Sequence, residues 1–144
     1  AIVANASDED QDRIYDFGRY LGIAFQLQDD YLDAFGDPKT FGKQVGGDII
    51  ENKKTFLYLK ALEFASEEER NTLKKLFSEN LDNNTKKIEI AKSLFVSSGS
   101  AKKTKEEIEH YTHRAFTVLE TLDISEDKKD LLKDFGNSLM KRTV

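Results

Sequence analysis

The sequence predicts an all-α fold, and three features carry that expectation. Apolar residues recur at helical spacing along the chain. No run alternates apolar with polar residues as a half-buried strand would, and no hairpin dipeptide competes. Helix-start chemistry recurs at Asp48, Ser66 and Ser125. The first helix is expected from about Glu9 to Phe35, where Gly36 can take the left-handed conformation that ends a helix and Pro38 cannot continue one. The second runs from about Ile49, with Asp48 as its N-cap, to Ala65, with Phe56, Leu57, Leu59 and Leu62 on its apolar side. Ser66-Glu67-Glu68-Glu69 is a capping box that starts a third helix reaching about Glu79. A turn at Asp82 to Thr85 leads to a fourth helix ending near Val96, and Ser97-Ser98-Gly99-Ser100 closes it. The fifth spans about Ala101 to Leu122 and the sixth runs from Glu126 toward Arg142, with Leu131, Leu132, Phe135, Leu139 and Met140 as its buried stripe.

Composition bounds the function classes. A chain of 144 residues buries about two-thirds of its unfolded surface, enough for one core, so residues 1–144 are expected to form a single all-α unit. Acids outnumber bases, 27 to 22, and no extended basic run appears, which disfavours nucleic acid as a partner. No apolar stretch approaches membrane-spanning length. There is no cysteine, so a disulfide framework is excluded and a cytoplasmic location is permitted.

The densest chemistry lies at Phe25-Gln26-Leu27-Gln28-Asp29-Asp30-Tyr31-Leu32-Asp33. At about 100° per residue, Asp29, Asp30, Asp33 and Gln26 project from one sector of the helix, while Leu27, Tyr31, Ala34 and Phe35 fall on the packing side. Like charges at this spacing cost an isolated helix roughly 0.2–0.5 kcal/mol per pair. A hard divalent cation relieves the conflict, and oxygen ligands suit magnesium or calcium; a solvated acidic face is the plain alternative. The loop that follows carries Lys43 between glycines, and Lys53 comes near the start of the next helix. Carboxylates on one side and lysines on the other suit a diphosphate held by metal ions and ammonium groups together.

The stretch GIAFQLQDDYLDAFGDPKTFGKQVGGDIIENKKTFL, Gly22 to Leu57, resembles the second aspartate-rich motif and lysine loop of the trans-type polyprenyl diphosphate synthases, the family of geranylgeranyl and farnesyl diphosphate synthases. The resemblance implies the C-terminal part of an isoprenoid-synthase helical bundle. It also implies a Mg2+-dependent prenyltransferase that condenses an allylic prenyl diphosphate with isopentenyl diphosphate. By that resemblance Asp29 is the principal metal ligand, with Asp30 and Asp33 completing the motif directly or through water. Lys43 and Lys53 hold the allylic diphosphate, and Gln26 sits beside the developing cation or the leaving group. A homodimer is implied for the full-length enzyme. The first aspartate-rich motif is absent, and the opening Ala1-Ile2-Val3-Ala4-Asn5-Ala6 looks like the end of a longer helix. The chain therefore reads as a C-terminal fragment that lacks turnover alone. The alternative reading is a noncatalytic helical regulatory or interaction subunit of the same ancestry, which the complete set of acids and lysines disfavours.

Other features weigh less. His110 and His113, with Glu106 and Glu109 nearby, have possible metal spacing but read more simply as surface or packing histidines. Gly22 leaves room either for a prenyl tail or for a close helix contact. The tail from Met140 to Val144 resembles the family's basic C-terminus, although cations there also complement the helix dipole. Tyr58, Phe64, Phe95 and Phe116 read as core.

Overall fold

The computed structural model describes residues 8–36, 45–79 and 83–141. Among them every regular element is a helix: α1 (Asp8–Phe35), α2 (Gly47–Ile50), α3 (Phe56–Phe64), α4 (Glu67–Leu76), α5 (Asn84–Ser97), α6 (Ser100–Glu120) and α7 (Glu126–Met140). The expected opening run from Ala1, the lysine loop with Lys43, and the basic tail beyond Lys141 lie outside the described residues.

The local chemistry that sets the boundaries is visible. Thr55 caps α3 by accepting from Tyr58 N–H. Ser66 and Glu69 form the reciprocal capping box of α4, and the Asn83 and Ser125 side chains accept from Lys86 N–H and Lys128 N–H to start α5 and α7. Gly99, at φ +90°, makes the tight passage from α5 into α6.

The helix expected from Ile49 to Ala65 is two helices. Asn52 adopts φ +59°, a left-handed conformation that interrupts the right-handed run, and Thr55 then starts α3 afresh. Two capping expectations are also corrected. The N-cap of α2 is Gly46, not Asp48, which lies in the first turn. Gly36 is not left-handed; a Cβ there would lie 2.5 Å from the Leu32 carbonyl oxygen, so glycine is needed for close approach instead.

Contacts divide the chain into two compact units. One comprises Leu27–Glu106. Its core joins Ala34, Ile49, Leu57, Tyr58, Leu73, Phe77, Ala91 and Phe95, with Tyr58, Phe77 and Phe95 in ring contact at centroid distances of 4.5 and 6.3 Å. Its buried hydroxyls are satisfied: Ser100 Oγ donates to Leu57 O at 2.5 Å and Thr104 Oγ1 to Ser100 O at 2.9 Å. On α3 the buried residues are Leu57, Tyr58 and Ala61, so Leu59 and Phe64, expected to be buried, are in fact exposed.

The other unit comprises the described residues up to Gln26 and from Glu107 onward. Ile14, Phe17, Leu21, Ala115, Leu119 and Leu122 form its core, with Phe116 edge-on to Phe17 at 6.1 Å. Leu132, Leu139 and Met140 of the expected α7 stripe pack against it. Leu131 and Phe135 do not: they are 69% and 59% exposed, and Phe135 lines an open apolar groove of about 370 Å³ with Ile14, Tyr15, Phe17 and Leu132. The face that packs is set by Gly136, where the helix comes so close that a Cβ would stand 2.9 Å from the Phe116 ring.

Candidate active site

The end of α1 delivers the three acids. Its packing side behaves as the helical period requires: Leu27 and Ala34 are buried, and Tyr31 stacks on Phe35 at 4.9 Å against the core of its unit. Asp30 and Asp33 are drawn well out of solvent, at 8% and 9% exposure, while Asp29 is half-buried.

Asp33 ties the next element down. Its backbone carbonyl accepts from Gly46 N–H at 2.5 Å and its side-chain Oδ2 accepts from Asp48 N–H at 2.8 Å. An unpaired donor at the start of α2 is thereby satisfied by a carboxylate from another helix. Gly46, at φ +91°, makes the entry turn, and a Cβ there would fall 2.5 Å from Ile88 Cδ1. From the far end of α2 the turn at Asn52 brings Lys53 back, with its Nζ 4.0 Å from Asp30 Oδ1 and 3.9 Å from Asp48 Oδ1. Ion pairs at this distance with a half-exposed lysine contribute at most about 1 kcal/mol, so a more highly charged anion can draw Lys53 away at small cost.

Asp30, Asp33, Asp48, Lys53 and Thr55 line the polar side of one cavity, and Ile49, Leu57, Phe77 and Phe95 its apolar side. Its volume of about 10 Å³ suits a single water, so an anion the size of a diphosphate would rest at its mouth. The donors are carboxylate oxygens, with no imidazole or thiolate, which fits a hard divalent cation such as magnesium or calcium. Among the described residues no three acids, histidines or cysteines yet gather at metal-holding distance, and Asp33 serves the α2 turn as well as any cation. Of the residues singled out in the sequence, Asp30, Asp33 and Lys53 therefore meet at one place. Asp29 is not among the residues lining the cavity, Gln26 is exposed and belongs to the other compact unit, and Lys43 lies outside the described residues. His110 is exposed and sits edge-on to Tyr111 at 5.3 Å, and His113 is exposed as well.

The polyprenyl synthetase family model matches residues 1–95, which contain this whole arrangement. The chain belongs to that family. Over 73 residues, 51% of the chain, it is 47% identical to a short chain isoprenyl diphosphate synthase of Methanothermobacter thermautotrophicus. Its fold superposes on a crystal structure of geranylgeranyl pyrophosphate synthase with a TM-score of 0.84 and 48% identity over 96% of the chain. A polyprenyl synthase from Caulobacter crescentus, solved with calcium and isoprenyl diphosphate, superposes with a TM-score of 0.78 and 25% identity over 95% of the chain. The matches span 22% of the first relative and 43% and 42% of the two solved chains. The chain thus has the all-α isoprenoid-synthase fold of a prenyltransferase family.

Two polar residues of this unit escape a reading of the sequence. Asp48, expected as a cap, lies in the first turn of α2 and faces Lys53. Lys87 is fully buried against Asn52; the signal was its place four residues before Ala91 and eight before Phe95, on the buried stripe of α5.

Proposed function

We propose that residues 1–144 are the C-terminal part of one polyprenyl diphosphate synthase domain, which condenses an allylic prenyl diphosphate with isopentenyl diphosphate. The observation that supports this most is the convergence of Asp30, Asp33, Asp48 and Lys53 on one cavity mouth. Asp29, Asp30 and Asp33 would hold Mg2+, which when bound supplies positive charge to the diphosphate and its leaving oxygen. Lys53 leaves its loose contacts with Asp30 and Asp48 and donates to diphosphate oxygens, joined by Lys43 from the preceding loop; such charge-assisted bonds are worth about 1.5–3 kcal/mol each. Gln26 would sit beside the developing cation or the leaving group, as the resemblance implies. The buried Leu57, Phe77 and Phe95 keep the inner side of the cavity apolar, which strengthens the charge interactions at its mouth. No side chain is assigned as a general base; by resemblance to the family, the pyrophosphate released when the allylic C–O bond breaks takes the proton that the isopentenyl unit loses. The enzyme is read as a cytoplasmic homodimer; no helix among the described residues is long and apolar enough to cross a membrane.

The test is turnover, measured as radiolabelled prenyl product, in a protein that carries this chain together with an upstream aspartate-rich motif. Asp29→Asn should lower it by several kcal/mol of transition-state stabilisation, the order that metal-held charge supplies. The 144-residue chain alone, with one motif, should show none. Unchanged turnover in Asp29→Asn would contradict the assignment.

A further inference from the structure

Lys87 is among the largest fully buried side chains of the described residues, at 1% exposure, and it is a lysine. Its ammonium donates to Asn52 Oδ1 and, at 3.3 Å, to Glu79 O, and it lies 5.9 Å from the centre of the Phe77 ring. Among the described residues no carboxylate pairs with it. Burial pushes its pKa down. A buried ammonium is expensive, and for stability alone a methionine of similar volume would serve as well or better. What the lysine does that methionine cannot is hold the Asn52 carboxamide.

Asn52 is the residue at φ +59°, the only non-glycine with positive φ among the described residues. Were it right-handed, α2 would continue and the chain would not turn back at Lys53. The turn is closed by Asn52 N–H to Ile49 O at 3.1 Å and by Lys53 N–H to Asp48 O at 2.8 Å. Asparagine tolerates the left-handed region better than most residues but does not require it, so an external grip decides the conformation.

We propose that Lys87 is a positioning residue for Lys53. It holds the Asn52 side chain, fixes the left-handed turn and thereby aims the Lys53 ammonium at the site of the diphosphate. This inference rests on the reading of Lys53 as a diphosphate-binding residue.

Two readouts on this chain test it: the affinity for inorganic pyrophosphate with magnesium, by calorimetry, and the exchange rate of the Lys53 amide, which reports the turn without any ligand. Lys87→Met should lower the affinity about tenfold, the usual scale for removing a group that orients a ligand-binding residue. It should also speed Lys53 exchange by a similar factor while the amides of Leu73 and Phe77 stay protected. Asn52→Ala should do the same and Asn52→Gly should do neither, because glycine adopts the turn unaided. If Lys87→Met does not fold, the contrast between alanine and glycine at position 52 decides alone. Unchanged affinity, or core and turn amides accelerating together, would overturn the proposal. A wild-type chain that binds no magnesium pyrophosphate would overturn it by removing the role of Lys53, and would be recognised as that failure because the exchange pattern is measured independently.

Discussion

At the scale of single residues, a few polar side chains do more than their exposure suggests. Glu69 receives Ser97 Oγ at 2.6 Å on one oxygen and the Ser66 N–H and hydroxyl on the other. The Ser97 bond first, and then the two from Ser66, hold its carboxyl below the usual carboxylate range. A depressed pKa means that this contribution to stability is present above the unfolded value of about 4.3 and is lost as pH falls through the lower folded value. We therefore expect the difference in thermal midpoint between wild type and Glu69→Gln to be full at neutral pH and to shrink in acid. A difference that does not change with pH would contradict the role of the carboxylate. Removing the other half of the box, with Ser66→Ala, should cost about 1 kcal/mol at neutral pH. This capping box was legible letter by letter, because both partners lie within four consecutive residues. Lys87 and Asn52 were not, because their contact joins positions 35 apart in sequence.

At the scale of elements, helix existence was legible and helix interruption was not. The periodic segments from Asp8 to Phe35 and from Ser100 to Glu120 match the expected helices closely. The break between α2 and α3 escaped because nothing in Ile50-Glu51-Asn52-Lys53 forbids a helix; the left-handed Asn52 is held from another helix. The α7 stripe failed differently. Period alone marks Leu131 and Phe135 as apolar, but the side that packs is chosen by the close approach at Gly136. Two glycines give the sharpest check on the elements. Gly46→Ala combines a positive φ with a clash on Ile88 and should destabilise by about 1–3 kcal/mol. Gly22→Ala, on an exposed helical face with no atom within 4 Å of its added Cβ, should stabilise by about 0.5–1 kcal/mol. Urea midpoints at constant m-value would measure both, and the opposite order would contradict this description of α1 and of the turn into α2.

At the scale of the whole molecule, the fold and the family are those of the polyprenyl synthetases, over a chain that spans less than half of the solved relatives. The candidate site was legible to the extent that chemistry is local. Asp30, Asp33 and Lys53 were named from spacing and resemblance, and they converge within the unit Leu27–Glu106. That Asp33 also anchors α2, by accepting from Asp48 N–H, was not legible, since the bond joins positions 15 apart in sequence. The central claim is that Asp29, Asp30 and Asp33, with Lys43 and Lys53, form a metal-dependent diphosphate site. It is tested most directly by calorimetric titration of a prenyl bisphosphonate, a nonhydrolysable stand-in for the allylic substrate, into this chain with magnesium and then with chelator. We expect binding that needs magnesium and disappears in Asp29→Asn. Binding indifferent to chelator, or none in a chain shown to be folded, would contradict the claim.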